Sequence, residues 1–173
     1  MDEVDAILRA IESLPLNDST KGVVIRPGSA VDANAIGRIF VRARDGMSYL
    51  PRITDEDRPK LGGWITARHE VWVIEDRGRL IGFAGVSQGW LDHLYLDPDF
   101  QSRGFGSILL QHIKGLQPRG VRLWVFQKNL DARRFYERHE FRLERLTDGS
   151  SNMEREPDAL YAWLPERTRS QPQ

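Results

Sequence analysis

Residues 97–106 read Asp97-Pro98-Asp99-Phe100-Gln101-Ser102-Arg103-Gly104-Phe105-Gly106, and the apolar stripe of a helix (Phe105, Ile108, Leu109, His112, Ile113, Leu116) begins inside them. Glycines at the first turn of a helix leave its unpaired N–H groups bare, and these, with the helix dipole, attract an anion such as phosphate. Arg103 adds a full positive charge beside them. The same two glycines would also serve an ordinary tight turn. An ATP-hydrolysing loop is poorly supported, because Gly106 is followed by Ser107-Ile108 where such a loop needs Lys and then Ser or Thr. A dinucleotide fingerprint lacks its third small residue, which leaves a nucleotide-binding α/β protein as a distant alternative. The chain carries no cysteine, and this closes a disulfide framework, a thiolate zinc site and any acyl-cysteine intermediate.

These residues belong to a chain of 173, of which 40% are hydrophobic and 29% charged, with Lys plus Arg and Asp plus Glu both numbering 25. That length fits one globular domain, and zero net charge provides no field to draw in phosphate backbones or anionic lipid. Neither nucleic acid nor membrane is expected as a partner. No apolar run reaches the ~18 residues of a membrane helix, and Met1-Asp2-Glu3 has the wrong charge for a secretory leader, so a cytoplasmic protein is expected. Residues 1–20 carry Val4, Ile7, Leu8, Ile11 and Leu14 at helical spacing and predict an amphipathic helix and linker. That helix packs on its own domain or serves as a homodimer contact or regulatory arm. Residues 21–165 form the expected domain, and 166–173 lack an apolar anchor and predict a flexible tail.

Within the domain, residues 23–26 read as a strand, and Asp32 precedes a helix with Ala35, Ile36, Ile39, Phe40 and Ala43 on one face. A second helix is expected within 54–68, blurred by Pro59 and Gly62-Gly63. The period then changes to two over 70–75 and 79–86, joined by Asp76-Arg77-Gly78 as a hairpin turn, and over 90–96. After the helix from Phe105, residues 121–126 are almost wholly apolar, as a strand covered on both faces would be. One more helix around Phe135 and Tyr136 and strands near 141–147 and 158–164 complete the string. The predicted class is α/β (α+β): a mixed, mostly antiparallel sheet with a central βαβ unit and helices on both faces.

Residues 96–106, Leu96-Asp97-Pro98-Asp99-Phe100-Gln101-Ser102-Arg103-Gly104-Phe105-Gly106, resemble the signature V-x-P-x-x-Q-x-x-G-x-G of the GNAT superfamily of acyl-CoA N-acyltransferases. Asn129-Leu130-Asp131-Ala132-Arg133-Arg134-Phe135-Tyr136-Glu137-Arg138 resembles the family's second motif, N-x-x-A-x-x-F-Y-E-x, in the expected order. With the flanking strands the likeness covers roughly residues 22–164. One departure is Glu140, at the position before Phe141 where the family commonly carries a helix-ending Gly.

The resemblance implies acetyl-CoA as cosubstrate, no metal, and direct transfer of the acetyl group to a primary amine of a small molecule or peptide in a ternary complex. A catalytically silent acyl-CoA-binding or sensing module on the same fold is the alternative. The backbone of Gln101, Ser102, Arg103, Gly104, Phe105 and Gly106 would hold the pyrophosphate, and the strand edge at Leu94, Tyr95 and Leu96 would pair with the pantetheine arm across a gap in the sheet. Tyr136 would protonate the departing thiolate; a buried core aromatic is its bland role. Asn129 would contact the cofactor, serve as an N-cap, or both. Asp92 is the favoured base, because strict alternation gives it the parity of Leu94 and Leu96 and turns His93 to the other face. His93 has the better intrinsic pKa, and either is otherwise a buried polar group. Tyr49, Trp64, Trp90 and Glu154 are expected around the acceptor, with Glu156 beside them.

Overall fold

The computed structural model describes residues 22–165; the segments expected at 1–20 and 166–173 lie outside the described residues. Seven strands, β1 (Val23–Pro27), β2 (Glu70–Asp76), β3 (Arg79–Ser87), β4 (Trp90–Leu96), β5 (Val121–Phe126), β6 (Arg142–Leu146) and β7 (Asp158–Trp163), form one sheet in the order β1-β2-β3-β4-β5-β7-β6. Its α-helices are α1 (Ala33–Asp45), α2 (Leu61–Arg68), α3 (Phe105–Leu116) and α4 (Leu130–Arg138). All neighbours run antiparallel except β4 and β5, the parallel pair joined through α3. This is the mixed, mostly antiparallel α/β architecture expected. Among the described residues no helix is long and apolar enough to cross a membrane.

Each face of the sheet buries its own core. On one face Leu109, Leu110 and Ile113 of α3 and Tyr136 of α4 pack on Leu91, Leu123 and Tyr161, with Leu94 and Leu96 against them. On the other, Ile36, Ile39 and Phe40 of α1 and Ile65 of α2 pack on Val71, Val73 and Phe83, with Tyr95 alongside. Fully burying one such side chain contributes about 1.5–3 kcal/mol, so the facing of β4 is strongly specified.

That facing does not alternate strictly. Gly85 pairs with His93 and Val86 with Leu91, which leaves Asp92 as an extra residue in β4. Leu91 and Leu94 therefore share the α3 face, and Asp92 does not take the parity of Leu94 and Leu96 expected from simple alternation. The bulge bends β4 away from β5. The two strands share one register pair, Trp90 with Arg122, supported by Arg122 N–H donating to the Gly89 carbonyl at 3.0 Å. Beyond it β5 stays with β7 through six consecutive pairs. The expectation that both faces of 121–126 are covered also fails: Arg122 and Trp124 are exposed, because no helix covers that face of β5.

Helix α2 occupies the second half of its expected range, from Leu61, because residues 54–57 close a turn of their own and Pro59 lies in a 3-10 turn. The two glycines at its start differ in purpose. A Cβ on Gly62 would stand 1.7 Å from the Ala33 carbonyl oxygen and 3.0 Å from Gly37 N, so α1 and α2 touch backbone to backbone there. A Cβ on Gly63 would meet nothing within 4 Å. At the end of α4, Glu140 adopts φ 68°, the left-handed geometry for which the family carries Gly. Glu140 also accepts a hydrogen bond from Lys114 at 3.5 Å and one from Trp163 Nε1 at 3.4 Å.

Two predictions follow from this packing. Gly62→Ala should lower stability by at least the ~1–3 kcal/mol of an overpacked core, while Gly63→Ala should raise it by up to about 1 kcal/mol through helix propensity. Chemical denaturation of both variants checks this, and equal effects would contradict the close crossing. His93 sits among Phe40, Trp64, Phe83 and Tyr95, and burial, then the charge of His69, lowers its pKa from 6.5 to about 4. A depressed histidine contributes stability that is complete above pH 6.5 and is lost as the pH falls toward 4, by roughly 3 kcal/mol at most. His93→Phe should flatten the pH dependence of unfolding over that window; identical pH dependence of the two proteins would contradict it.

Candidate active site

Where β4 and β5 part, a cavity of about 510 Å³ opens. Asp92, His93 and Tyr95 of β4 form one wall and Trp124, Val125 and Phe126 of β5 the other. Phe40 and Arg44 of α1, Arg145 and Thr147, Asp158, and the loop residues Ser151, Asn152 and Glu154 complete it. The β4 backbone that faces β5 beyond Trp90 has no strand partner there, so this edge presents peptide groups to the gap.

The loop that follows β4 is held open by charge and by backbone geometry. Asp97, only 5% exposed, accepts the Asp99 N–H at 3.1 Å and is gripped by Arg42 at 2.6 Å and Arg79 at 3.3 Å. Ser102 (φ 60°) and Gly104 (φ 88°) are both left-handed, and Gly104 is the N-cap of α3 without a capping side chain. The first α3 amide to find a carbonyl is that of Ile108, which donates to Gly104 at 3.1 Å. The N–H groups of residues 102–107 make no hydrogen bond within the described residues, whereas that of Gln101 turns to the Pro98 carbonyl at 3.4 Å. A Cβ on Gly104 would meet nothing within 4 Å, so the space in front of these donors is open. Bare amides at a helix start with open space before them fit a phosphate group.

Tyr136 is buried and Tyr95 half-buried. Tyr136 packs against Phe135 and Phe141 at centroid distances of 5.3 and 5.4 Å, and burial, then the neighbouring Tyr95, pushes its hydroxyl well above the ordinary phenol range. Burial likewise pushes Tyr95 up to about 12. Both stay protonated at neutral pH. Asp92 accepts a hydrogen bond from the Ser87 hydroxyl at Oδ2, and His69 Nε2 lies 3.6 Å from the same oxygen. Neither ring nitrogen of His93 has a partner, and its lowered pKa removes the advantage that its intrinsic value gave it as a base.

The other expected residues divide. Leu94 and Leu96 direct their side chains into the core and Phe105 is 3% exposed, so only their backbones can serve a ligand. Gln101 donates its side-chain N–H to the Leu96 carbonyl at 3.3 Å, and Arg103 lies over the Phe100 ring at 5.2 Å. Asn129 is an N-cap, accepting the Ala132 N–H at 3.1 Å. Glu154 lines the cavity, paired with Arg44 at 3.0 Å, and Trp64 borders it through His93. Tyr49 stacks edgewise on Phe126 at 6.1 Å with its hydroxyl buried and unpartnered. Glu156 is buried against Lys128 at 2.9 Å, so it presents no free charge. Trp90 is a correction: it lies at the paired end of β4 and lines a separate small cavity with Arg119 and Trp163, because the gap opens only beyond it. Trp124, Arg44, Arg145 and His69 were not anticipated, since each approaches the gap from an element distant in sequence.

Residues 67–143 match the family model described as "Acetyltransferase (GNAT) domain". The chain is 27% identical over 114 residues to the peptidyl-lysine N-acetyltransferase YiaC of Escherichia coli, across 65% of this chain and 72% of that protein. It is 31% identical over 74 residues to the peptidyl-lysine N-acetyltransferase YjaB of Salmonella typhimurium, across 42% of this chain and 50% of that one. The fold is shared with the solution structure of apo-form YjaB from Escherichia coli, with TM-score 0.67 and 23% identity over 82% of this chain and 97% of that one. It is likewise shared with yncA from Salmonella typhimurium, solved with its cofactor acetyl-CoA, with TM-score 0.67 and 18% identity over 83% of this chain and 94% of that one. Motif and relatives agree: residues 67–143 carry a GNAT acetyltransferase domain, and the named N-acetyltransferase relatives support an acetyl-CoA-dependent acetyltransferase.

Proposed function

We propose that the chain transfers an acetyl group from acetyl-CoA directly to a primary amine within a ternary complex. The observation that carries this reading is the β4–β5 gap followed, in the loop that leaves the same strand, by the bare amides of residues 102–107. The yncA structure, which holds acetyl-CoA on the same fold, supports the choice of donor. Acetyl-CoA supplies the acetyl group as an activated thioester. The amides of residues 102–107 and the Arg103 charge bind its pyrophosphate, and the open β4 edge at 94–96 pairs with its amide-bearing arm. A backbone N–H on that edge stabilises negative charge developing on the carbonyl oxygen. Asp92 receives the proton that an ammonium must lose before it can attack. Tyr136 holds a proton at its hydroxyl for the departing thiolate, and its raised pKa keeps that proton in place until a thiolate forms. With no cysteine in the chain, acyl transfer through a thiol of the protein is closed.

The acceptor reading favoured by the relatives is a lysine side chain in a peptide, since two of them are named peptidyl-lysine N-acetyltransferases. Its ammonium would enter a cavity where Asp92, Glu154 and Asp158 stand among Arg44 and Arg145. Release of free thiol from acetyl-CoA with a panel of amines, a lysine peptide included, tests the whole reading. Turnover is expected; binding without turnover would make the chain a silent acyl-CoA module.

Two variants separate the parts. Gly104→Val should weaken acetyl-CoA binding at least about tenfold in calorimetry, because a β-branched residue cannot hold φ 88° without strain of order 1 kcal/mol or more and obstructs the amides. Unchanged affinity in a folded variant would show the loop to be only a turn. Tyr136→Phe should lower single-turnover kcat by about 10²-fold, leave acetyl-CoA affinity intact and cost no more than ~1 kcal/mol in stability. Tyr95→Phe serves as its control and should keep the rate within a few-fold. A wild-type rate in Tyr136→Phe would return that residue to the core.

A further inference from the structure

His69 follows α2 as its C-cap, and it is pinned. Its backbone N–H and its ring Nδ1 both lie 3.1 Å from the Ile65 carbonyl, and its side chain is 9% exposed between the rings of Trp64 (5.7 Å) and His93 (4.7 Å). A carbonyl only accepts, so Nδ1 carries the hydrogen and the neutral ring has its lone pair on Nε2. That atom faces Asp92 Oδ2 at 3.6 Å. A lone pair and a carboxylate oxygen repel each other. The arrangement becomes attractive only when one proton lies between them.

We propose that His69 is the positioning residue and proton store of Asp92, so that the amine's proton is received by the pair and not by the carboxylate alone. This rests on the reading of Asp92 as the base. Proton affinity explains the need: an alkyl ammonium near pKa 10 lies about six units above a carboxyl group but only about four above an imidazole. As the ammonium N–H bond breaks, an O–H bond forms on Asp92. The carboxyl then gives a proton from Oδ2 to His69 Nε2, which leaves a neutral amine, a carboxylate and an imidazolium. The imidazolium returns its proton to water after transfer. Ser87 donates to the same Oδ2 and fixes the carboxylate, so that Oδ2 is the atom that takes the amine's proton and passes it on. The 3.6 Å separation is of the length that tightens when a catalytic site fills.

The charged and titratable surroundings leave His69 as the store. His93 on β4 has both ring nitrogens buried without partners and does not take up a proton near neutrality. Arg68, from the last turn of α2, lies over the Trp64 ring at 5.0 Å. Across the cavity, Arg44 and Glu154 neutralise each other, and Asp158 is tied to Thr147 and Asn152. Arg145 lies over Trp124 at 5.3 Å.

The test is the pH profile of kcat/KM at saturating acetyl-CoA with an N-terminally blocked lysine peptide, for wild type, His69→Gln and Asp92→Asn, joined to an imidazole ¹⁵N NMR titration of His69 that needs no acceptor. His69→Gln should lower kcat about 10²-fold, leave the KM for acetyl-CoA within about twofold, and displace the acid limb of the profile. In Asp92→Asn the titration midpoint of His69 should fall, since the carboxylate favours the imidazolium. A slow Asp92→Asn with an unaltered His69→Gln profile would leave Asp92 the base and overturn the relay alone. Full activity in Asp92→Asn would overturn the base reading and the relay together. An unchanged His69 midpoint in Asp92→Asn would show the two groups uncoupled and overturn the relay whether or not His69→Gln folds.

Discussion

The extra residue in β4 is the constraint on which the rest of the molecule turns. A strand whose edge is shared with a parallel neighbour normally exposes no peptide groups, and a sheet continuous from β4 to β5 would have no interior passage. By setting two residues, Leu91 and Asp92, against Val86 alone, the bulge keeps Leu91 and Leu94 in one core and bends the strand between them. The consequence is a parallel pair reduced to Trp90 and Arg122, with unpaired backbone on both sides of a gap. Unpaired peptide groups away from water are costly, and a ligand with amide groups of its own is a means of satisfying them.

Everything else at the site holds the gap's surroundings still. Asp97 ties the loop after β4 to α1 through Arg42 and to β3 through Arg79, so the bare amides at the start of α3 are anchored from two directions. At the far end of α4, the left-handed turn at Glu140 lets Phe141 N–H reach the Tyr136 carbonyl at 3.1 Å and fixes the helix that carries that tyrosine. The bulge also explains why two adjacent residues of one strand, Asp92 and His93, both line the cavity. Asp92 is accessible, while His93 sits in an aromatic cluster that favours its neutral form.

Much of this was legible in the sequence because it is local. Gly104 and Gly106 announced the start of α3, Asn129 the cap of α4 and Phe135-Tyr136 the second motif, and each is where spacing and turn chemistry put it. What failed was non-local. Alternation along 90–96 carried no mark of an inserted residue, since Asp92 is polar and fits either face, and the parity assigned to it was wrong for that reason. The apolar run 121–126 read as covered on both faces because Trp124 is apolar, although it faces the cavity with Arg145 above it. Gly62 looked like a helix breaker and is instead where two helices meet. Trp90 is an aromatic close in sequence to Asp92, yet it sits on the wrong side of the one register pair that closes the gap.

The central claim is that the parted edges of β4 and β5, with the amides that begin α3, are where the acyl donor binds. Residue-resolved amide hydrogen exchange with and without acetyl-CoA tests it directly. The account predicts that slowing of exchange is concentrated in residues 93–96 and 102–107, with little change in β1, β2 and β6. Protection confined to other segments, or absent at saturating acetyl-CoA, would contradict it.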